Sequence, residues 1–219
     1  MRFFAQEQYS PQRTFVGYEL FLKEQVAGSW RVPRSFVNLD LSELCRLIRA
    51  SLISIRPDTQ LLSVNLDQQQ FILPVLPAAL GALAREHPQL ALVVELTEYE
   101  QGVDRQAIRH AAAQFLANGV QVCLDDVGCG ANNLDMVNLL DPYTMEYKFA
   151  LQNMTDYNER TVRALPELRQ WAQRAHSRYK RLTVEGVECE EVLQKVLPYK
   201  PDLIQGYYFA KPHLLAVNE

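Results

Sequence analysis

Residues 90–126 read LALVVELTEYEQGVDRQAIRHAAAQFLANGVQVCLDD. The segment holds two apolar runs, Leu90 to Val94 and Val120 to Leu124. Between them, from Asp104 to Asn118, Ala107, Ile108, Ala111, Ala112, Phe115 and Leu116 recur at helical spacing, and Gly119 stands where a helix cap is expected. Each apolar run stops on an acid: Val94 on Glu95, and Leu124 on the pair Asp125-Asp126. A strand, a helix and a second strand in this order form a βαβ unit, with the two strands parallel in one sheet.

The same alternation extends in both directions. Upstream, Leu61 to Val64 precedes a helical region from Asp67 to about Glu86, and helical signals run from Phe36 to Ile55. Downstream come a short helix near Asn132 to Leu140, a strand at Met145 to Phe149 and a long helix over about Tyr157 to Arg178. A strand at Arg181 to Val184, a helix near Glu190 to Val196 and a last strand at Asp202 to Ile204 complete the series. The first strand, near Thr14 to Leu22, follows a turn at Ser10-Pro11-Gln12, so the chain opens as a hairpin with an antiparallel first strand. About seven or eight such strands predict an α/β fold, a short TIM-like (β/α)8 barrel, with a doubly wound open sheet as the alternative. With 219 residues and no linker or low-complexity stretch, a single domain over 1–219 is expected.

Composition narrows the function. Apolar residues make up 48% and charged residues 22%, an ordinary globular balance. A net charge of -4 argues against DNA and anionic membranes as partners. No apolar run approaches the roughly 20 residues that span a bilayer, and the apolar start at Met1 ends by Gln6, too soon for a signal peptide. The 4 cysteines, Cys45, Cys123, Cys129 and Cys189, form no C-x-x-C pair and suit a reducing, cytoplasmic setting; the 4 histidines are scattered.

The chemistry lies where the apolar runs end. Val64 leads to Asn65, Val94 to Glu95, Leu124 to Asp125-Asp126, Tyr147 to Lys148, Val184 to Glu185 and Ile204 to Gln205. In a parallel barrel these strand ends form one rim, and active sites sit there. Glu19 joins them if the first strand belongs to the ring. Carboxylates and an amide are hard oxygen donors, which suit Mg²⁺ or Mn²⁺ rather than zinc. Crowded carboxylates repel unless a cation balances them, and a divalent ion also acidifies bound water. Lys148 adds a positive charge beside an attacking water or a developing phosphorane. Glu146 is acidic and close to the rim, but is read as structural and facing away from Lys148.

These residues resemble the EAL domain family. Gly17-Tyr18-Glu19-Leu20-Phe21-Leu22-Lys23 looks like its signature segment, and Ser63-Val64-Asn65-Leu66 like its second metal-ligand strand. Glu95-Leu96-Thr97-Glu98 matches the E-L-T-E motif, and Asp125-Asp126-Val127-Gly128-Cys129-Gly130 resembles D-D-F-G-T-G. Lys148, Glu185-Gly186-Val187-Glu188 and Gln205 to Pro212 follow in the family's order. The resemblance implies a phosphodiesterase that opens the second messenger cyclic di-GMP to linear pGpG. It implies Glu19, Asn65, Glu95 and Asp125 as ligands of one metal, and Asp126 at a second metal or at the nucleophilic water. Lys148 would orient that water, Glu185 would act as base or support, and Glu98 would brace the loop after Asp126. Gln6, Lys23 and Gln205 would contact substrate. A homodimer through about Ala131 to Leu140 is also implied.

The chain departs from the family pattern in places. The name-giving triplet reads Glu19-Leu20-Phe21, and Lys23 replaces the usual arginine, losing the bidentate fork for phosphate. The usual Gln-Pro is Gln6-Glu7, and Val127 and Cys129 replace Phe and Thr. The family's Lys-x-Asp becomes Lys148-Phe149-Ala150, which removes an acid from the strand face of Lys148. The metal-ligand set is complete, which favours an enzyme. The changes at Lys23 and Ala150 keep open two other readings, a module that binds cyclic di-GMP without cutting it and a module that only binds a protein partner.

Overall fold

The computed structural model describes residues 1–33, 41–153 and 157–215. Ten strands are present among them: β1 (Arg2–Tyr9), β2 (Phe15–Val26), β3 (Ser29–Arg31), β4 (Leu61–Leu66), β5 (Ala91–Leu96), β6 (Gln121–Leu124), β7 (Thr144–Ala150), β8 (Arg181–Glu185), β9 (Leu203–Ile204) and β10 (His213–Leu214). The helices are α1 (Leu41–Ser54), α2 (Gln68–Phe71), α3 (Leu76–Glu86), α4 (Arg105–Ala117), α5 (Leu134–Leu140), α6 (Tyr157–Ser177) and α7 (Glu190–Val196).

The strand order is β10-β1-β9-β8-β7-β6-β5-β4-β2-β3, and β1 also pairs with β2. That last pairing closes an eight-stranded barrel of β1, β2 and β4 to β9, which rules out the open sheet. The parallel pairs run from β2–β4 round to β8–β9. β1 is the one antiparallel stave, bonded to β2 on one side and to β9 on the other. The expected hairpin is therefore the device that shuts the ring. The strand expected first, near Thr14 to Leu22, is the second, β2, and runs parallel to β4; the antiparallel first strand is β1, with Gln6 and Gln8 buried. The helical signal from Asp67 to Glu86 divides into α2 and α3, with Pro74 in the break. Of the helical signal from Phe36 to Ile55, the part before Leu41 lies outside the described residues.

Alternation along each strand makes two cores. On β5, Leu92, Val94 and Leu96 face outward and pack with Ile108, Ala112 and Phe115 of α4 in the large outer cluster. Val93 faces inward and joins Leu61, Cys123 and Leu203, with Val16 alongside, in a small apolar plug. Because inward positions recur every second residue, the residue two beyond each member of this plug also points inward: Ser63 after Leu61, Glu95 after Val93, Asp125 after Cys123 and Gln205 after Leu203. The plug thus supports the polar floor of the mouth.

Glu146 corrects an expectation. It lies on the same strand face as Lys148, since residues two apart on a strand share a face. Its structural role stands, because its Oε1 accepts from the Thr183 hydroxyl at 2.5 Å and its Oε2 from Arg181 at 3.0 Å. Arg181 in turn reaches Gln121 Oε1 at 2.6 Å. This buried network forms a further polar layer inside the barrel.

Candidate active site

Lys148 is the centre of the floor. It is 0% exposed. Its Nζ lies 2.8 Å from Glu19 Oε2, 2.6 Å from Glu95 Oε2, 2.6 Å from Glu185 Oε1 and 3.6 Å from Asp125 Oδ1. Strands β2, β5, β8 and β6 each deliver one of those carboxylates, as the strand-end reading requires. Burial alone pushes the ammonium down, but Glu185, Glu19, Glu95 and Asp125 outweigh it and hold Lys148 well above its ordinary value.

One ammonium does not balance so many acids. Burial raises Glu95 well above the ordinary carboxylate range, and the Glu19 charge adds to this. Asp125 is likewise raised by burial, against the opposing pull of Lys148. Glu185 is raised to about 7, again by burial first. Glu19 is the exception. Burial pushes it up, but the Lys148 charge and hydrogen bonds from Lys148, Asn65 and Gln205 bring it below its ordinary value. Asn65 Nδ2 donates to Glu19 Oε1 at 2.6 Å, and Gln205 Nε2 to Glu19 Oε2 at 2.7 Å.

Asp126 sits apart from the lysine. Its backbone is left-handed, with φ 48°, an unusual conformation for a residue other than glycine. The loop that imposes this turn is pinned to the end of β5, where Ala131 N donates to the Glu98 carbonyl at 2.7 Å. Gly130 has φ 46°, and a Cβ there would lie 2.3 Å from that same carbonyl. The loop therefore needs glycine at this position. Glu98 does brace the loop, but through its backbone. Its side chain turns to the acids instead, so that carboxylate oxygens of Glu98, Asp125 and Asp126 lie within 4.8 Å of one another.

A divalent cation fits this arrangement. Asp126 Oδ1 is buried with no hydrogen-bond partner, and three carboxylates converge beside it. The donors are all oxygen, the chemistry of a hard metal ion.

The remaining expected residues divide. Gln6 and Gln205 are joined, with Gln205 Nε2 donating to Gln6 Oε1 at 3.1 Å. Both line the cavity of about 510 Å³ above the floor, together with Glu19, Asn65, Glu98, Asp125, Asp126 and Glu185. Lys23 does not line it; its ammonium lies 4.4 Å from the centre of the Phe4 ring. The β2–β4 pairing ends at Leu20, and beyond it β2 continues on β1 and β3. Lys23 thus rides on an extension above the barrel. Ala150 is buried and paired with Glu185, without the acid expected there. Among the described lining residues there is no lysine or arginine, while Asp67 and Glu188 add further acids.

Two residues of the site carried no sequence signal. Gln8 is fully buried and donates to Gln205 Oε1 at 3.0 Å. Asn132 is also fully buried, and its Nδ2 bridges the Leu96 carbonyl at 2.8 Å and the Asp125 carbonyl at 2.6 Å, tying together the ends of β5 and β6. Gln8 lies two residues after Gln6, and Asn132 stands where the sequence starts a short helix; neither position tells a buried polar residue from a solvated one.

No curated protein matches the chain. Solved structures do. The Bacillus subtilis YkuI protein, with an EAL domain, in complex with substrate c-di-GMP and calcium, aligns at TM-score 0.77 and 21% identity, over 99% of this chain and 57% of that one. The chain therefore spans little more than half of that protein. A standalone EAL protein from Vibrio cholerae O395 in its c-di-GMP-bound form aligns at TM-score 0.75 and 19% identity, over 97% and 92%. The FimX EAL domain from Pseudomonas aeruginosa, bound to c-di-GMP, aligns at TM-score 0.74 and 19% identity, over 97% and 90%. At these identities the likeness is one of fold. Among protein families, the EAL domain matches residues 33–212, and the chain belongs to the EAL domain family.

Proposed function

We propose that the protein is a phosphodiesterase that hydrolyses cyclic di-GMP to linear pGpG with Mg²⁺ or Mn²⁺. The observation that carries this reading is the ring of carboxylates from separate strands around one buried ammonium, at the mouth of a barrel. The nucleotide-bound relatives support the choice of substrate. Glu19, Asn65, Glu95 and Asp125 would hold one ion, and Asp125, Asp126 and Glu98 would take part at a second. A bound divalent ion supplies Lewis-acid polarisation of the phosphate and an acidified water. Glu185, with a carboxyl near 7, is suited to accept the proton of a water attacking phosphorus. The new bond is water oxygen to phosphorus, the bond broken is phosphorus to O3′, and the leaving oxygen ends protonated. Lys148 keeps the carboxylates of the floor in register rather than meeting substrate itself. Gln205 fixes Glu19 and, joined to Gln6, forms the adjoining wall.

The absence of Lys23 from the cavity wall and of an acid at Ala150 favours a second reading, a module that binds the nucleotide without turnover. Chromatography of cyclic di-GMP after incubation with the protein and each metal separates the two. The proposal predicts pGpG with at least one metal, and none from Glu19→Ala, whose circular dichroism should match wild type. Tight binding without pGpG from either metal would establish the second reading.

Three wider properties complete the proposal. The chain acts as one domain over 1–219. It works in the cytoplasm, which the free thiols of Cys45, Cys123 and Cys129 support; no helix among the described residues is long and apolar enough to cross a membrane. It forms a homodimer through residues 131–140, where the 55%-exposed Leu134 offers an apolar contact.

A further inference from the structure

The loop after β6, which carries Asp126, is held from two sides. On the barrel side, Val127 N donates to the Lys148 carbonyl at 2.9 Å and Ala131 N to the Glu98 carbonyl at 2.7 Å. Within the loop, Gly128 N donates to the Asn132 carbonyl and Cys129 N to the Asp126 carbonyl, each at 2.9 Å. These bonds set the shape of the turn. They leave its outer side, at Gly128, for the helix layer to fill, and Trp171 of α6 fills it. Gly128 has φ 91°, and a Cβ there would stand 3.2 Å from Trp171 Nε1, 3.5 Å from Cζ2 and 3.6 Å from Cε2. The edge of the indole thus takes the space where a side chain of residue 128 would be.

The indole is itself fixed. It meets the buried Tyr147 ring edge-on, with centroids 5.9 Å apart and planes at 68°. Further along α6, Arg174 Nη2 donates to Asn138 Oδ1 of α5 at 2.8 Å, and the guanidinium lies 6.0 Å from the centre of the same Tyr147 ring. Trp171 also packs on the large outer cluster and does not line the cavity. It is a wedge between the helix layer and the loop. Asp126 is held at φ 48°, a conformation that survives only where the surroundings enforce it. Without a stop at Gly128 the loop can lean outward and relax that residue, carrying its carboxylate along. Metal ligands tolerate only about 0.5 Å of such drift.

Resting on the proposed metal-dependent reading, we infer that Trp171 is a positioning residue for the divalent ion: acting through Gly128, its indole holds Asp126 where the ion needs it. It does so without touching ion or nucleotide. Groups that orient metal ligands from outside typically matter roughly 10- to 100-fold in metal affinity.

The test is calorimetric titration with Mn²⁺, in the absence of nucleotide, of wild type, Trp171→Leu and Trp171→Phe. Trp171→Leu should bind Mn²⁺ roughly 10- to 100-fold more weakly. Trp171→Phe, which keeps a ring beside Tyr147 and the loop, should stay within about threefold of wild type. Leu80→Ala, a fully buried change in α3, is the control for destabilisation alone. Its melting temperature should fall while its Mn²⁺ affinity matches wild type. Trp171→Leu binding as tightly as wild type, or Leu80→Ala weakening Mn²⁺ as much as Trp171→Leu does, would overturn the positioning role and leave the proposed function standing. Should Trp171→Leu lose the circular dichroism of wild type, Gly128→Ala decides. Its Cβ meets the indole edge, so it should cost about threefold or more further in Mn²⁺ affinity in wild type than in Trp171→Phe, whose ring is smaller. Equal losses in the two backgrounds would likewise overturn the role. Wild type failing to bind Mn²⁺ would overturn the inference and the metal-dependent reading together.

Discussion

At the scale of single residues, the site is a problem in charge balance. Lys148 offsets one of several buried carboxylates, and the surplus is relieved by protonation, most visibly at Glu185, near 7 against an ordinary 4.5. A carboxyl whose value is higher in the fold than in the unfolded chain binds its proton more tightly when folded. Its contribution to stability is therefore whole below about pH 4.5, falls as the pH rises, and is gone above about 7. Glu95 and Asp125 shift in the same direction. The melting temperature of protein in a chelator should accordingly drop between pH 5 and 7.5, and Mn²⁺ should restore it more at pH 7.5 than at pH 5.5, where protons compete for the ligands. A melting temperature that climbs over this interval in the chelator would show that the surplus charge is balanced in some other way.

At the scale of elements, the loop after β6 joins the fold to the chemistry. Gly130→Ala forces a Cβ against the Glu98 carbonyl, in a left-handed conformation. It should cost on the order of 1–3 kcal/mol by urea unfolding and, by displacing Asp125 and Asp126, weaken metal binding about 10-fold or more by calorimetry. Gly119, also left-handed but facing open space, is the control: Gly119→Ala should cost about 1 kcal/mol and leave metal affinity unchanged. The elements also show what a sequence can reveal. Asn65, Glu95, Asp125, Lys148, Glu185 and Gln205 are legible because an apolar run in a parallel strand ends abruptly on a polar residue, and the fold gathers those ends. Lys23 is not placed by the same reasoning, because β2 outruns its partner β4 and lifts the residue off the barrel. Gln8 and Asn132 escape because a buried polar residue that satisfies the backbone or another side chain looks, in sequence, like a solvated one. Glu146 shows that the alternation rule serves only when the register is counted residue by residue.

At the scale of the whole molecule, closure depends on one antiparallel stave. β1 pairs with β2, β9 and β10, and Gln6 and Gln8 reach from it to Gln205. Removing residues 1–9 should leave β2 and β9 as open edges prone to self-association. Circular dichroism melts should then lose their single cooperative transition, and size-exclusion chromatography should show aggregates. A truncated chain that stays monodisperse and melts cooperatively would mean the other seven strands close without β1.

The same stave has a consequence for how the protein is made. Tyr9 leaves the ribosome well before its partner Ile204. The hairpin with β2 can form at once, but the far edge of β1 has to wait until β9 has been synthesised. Until then the growing β-sheet is an unclosed ribbon with its acidic floor open to water. The order of translation thus makes closure of the barrel mouth a late event in the folding of this domain.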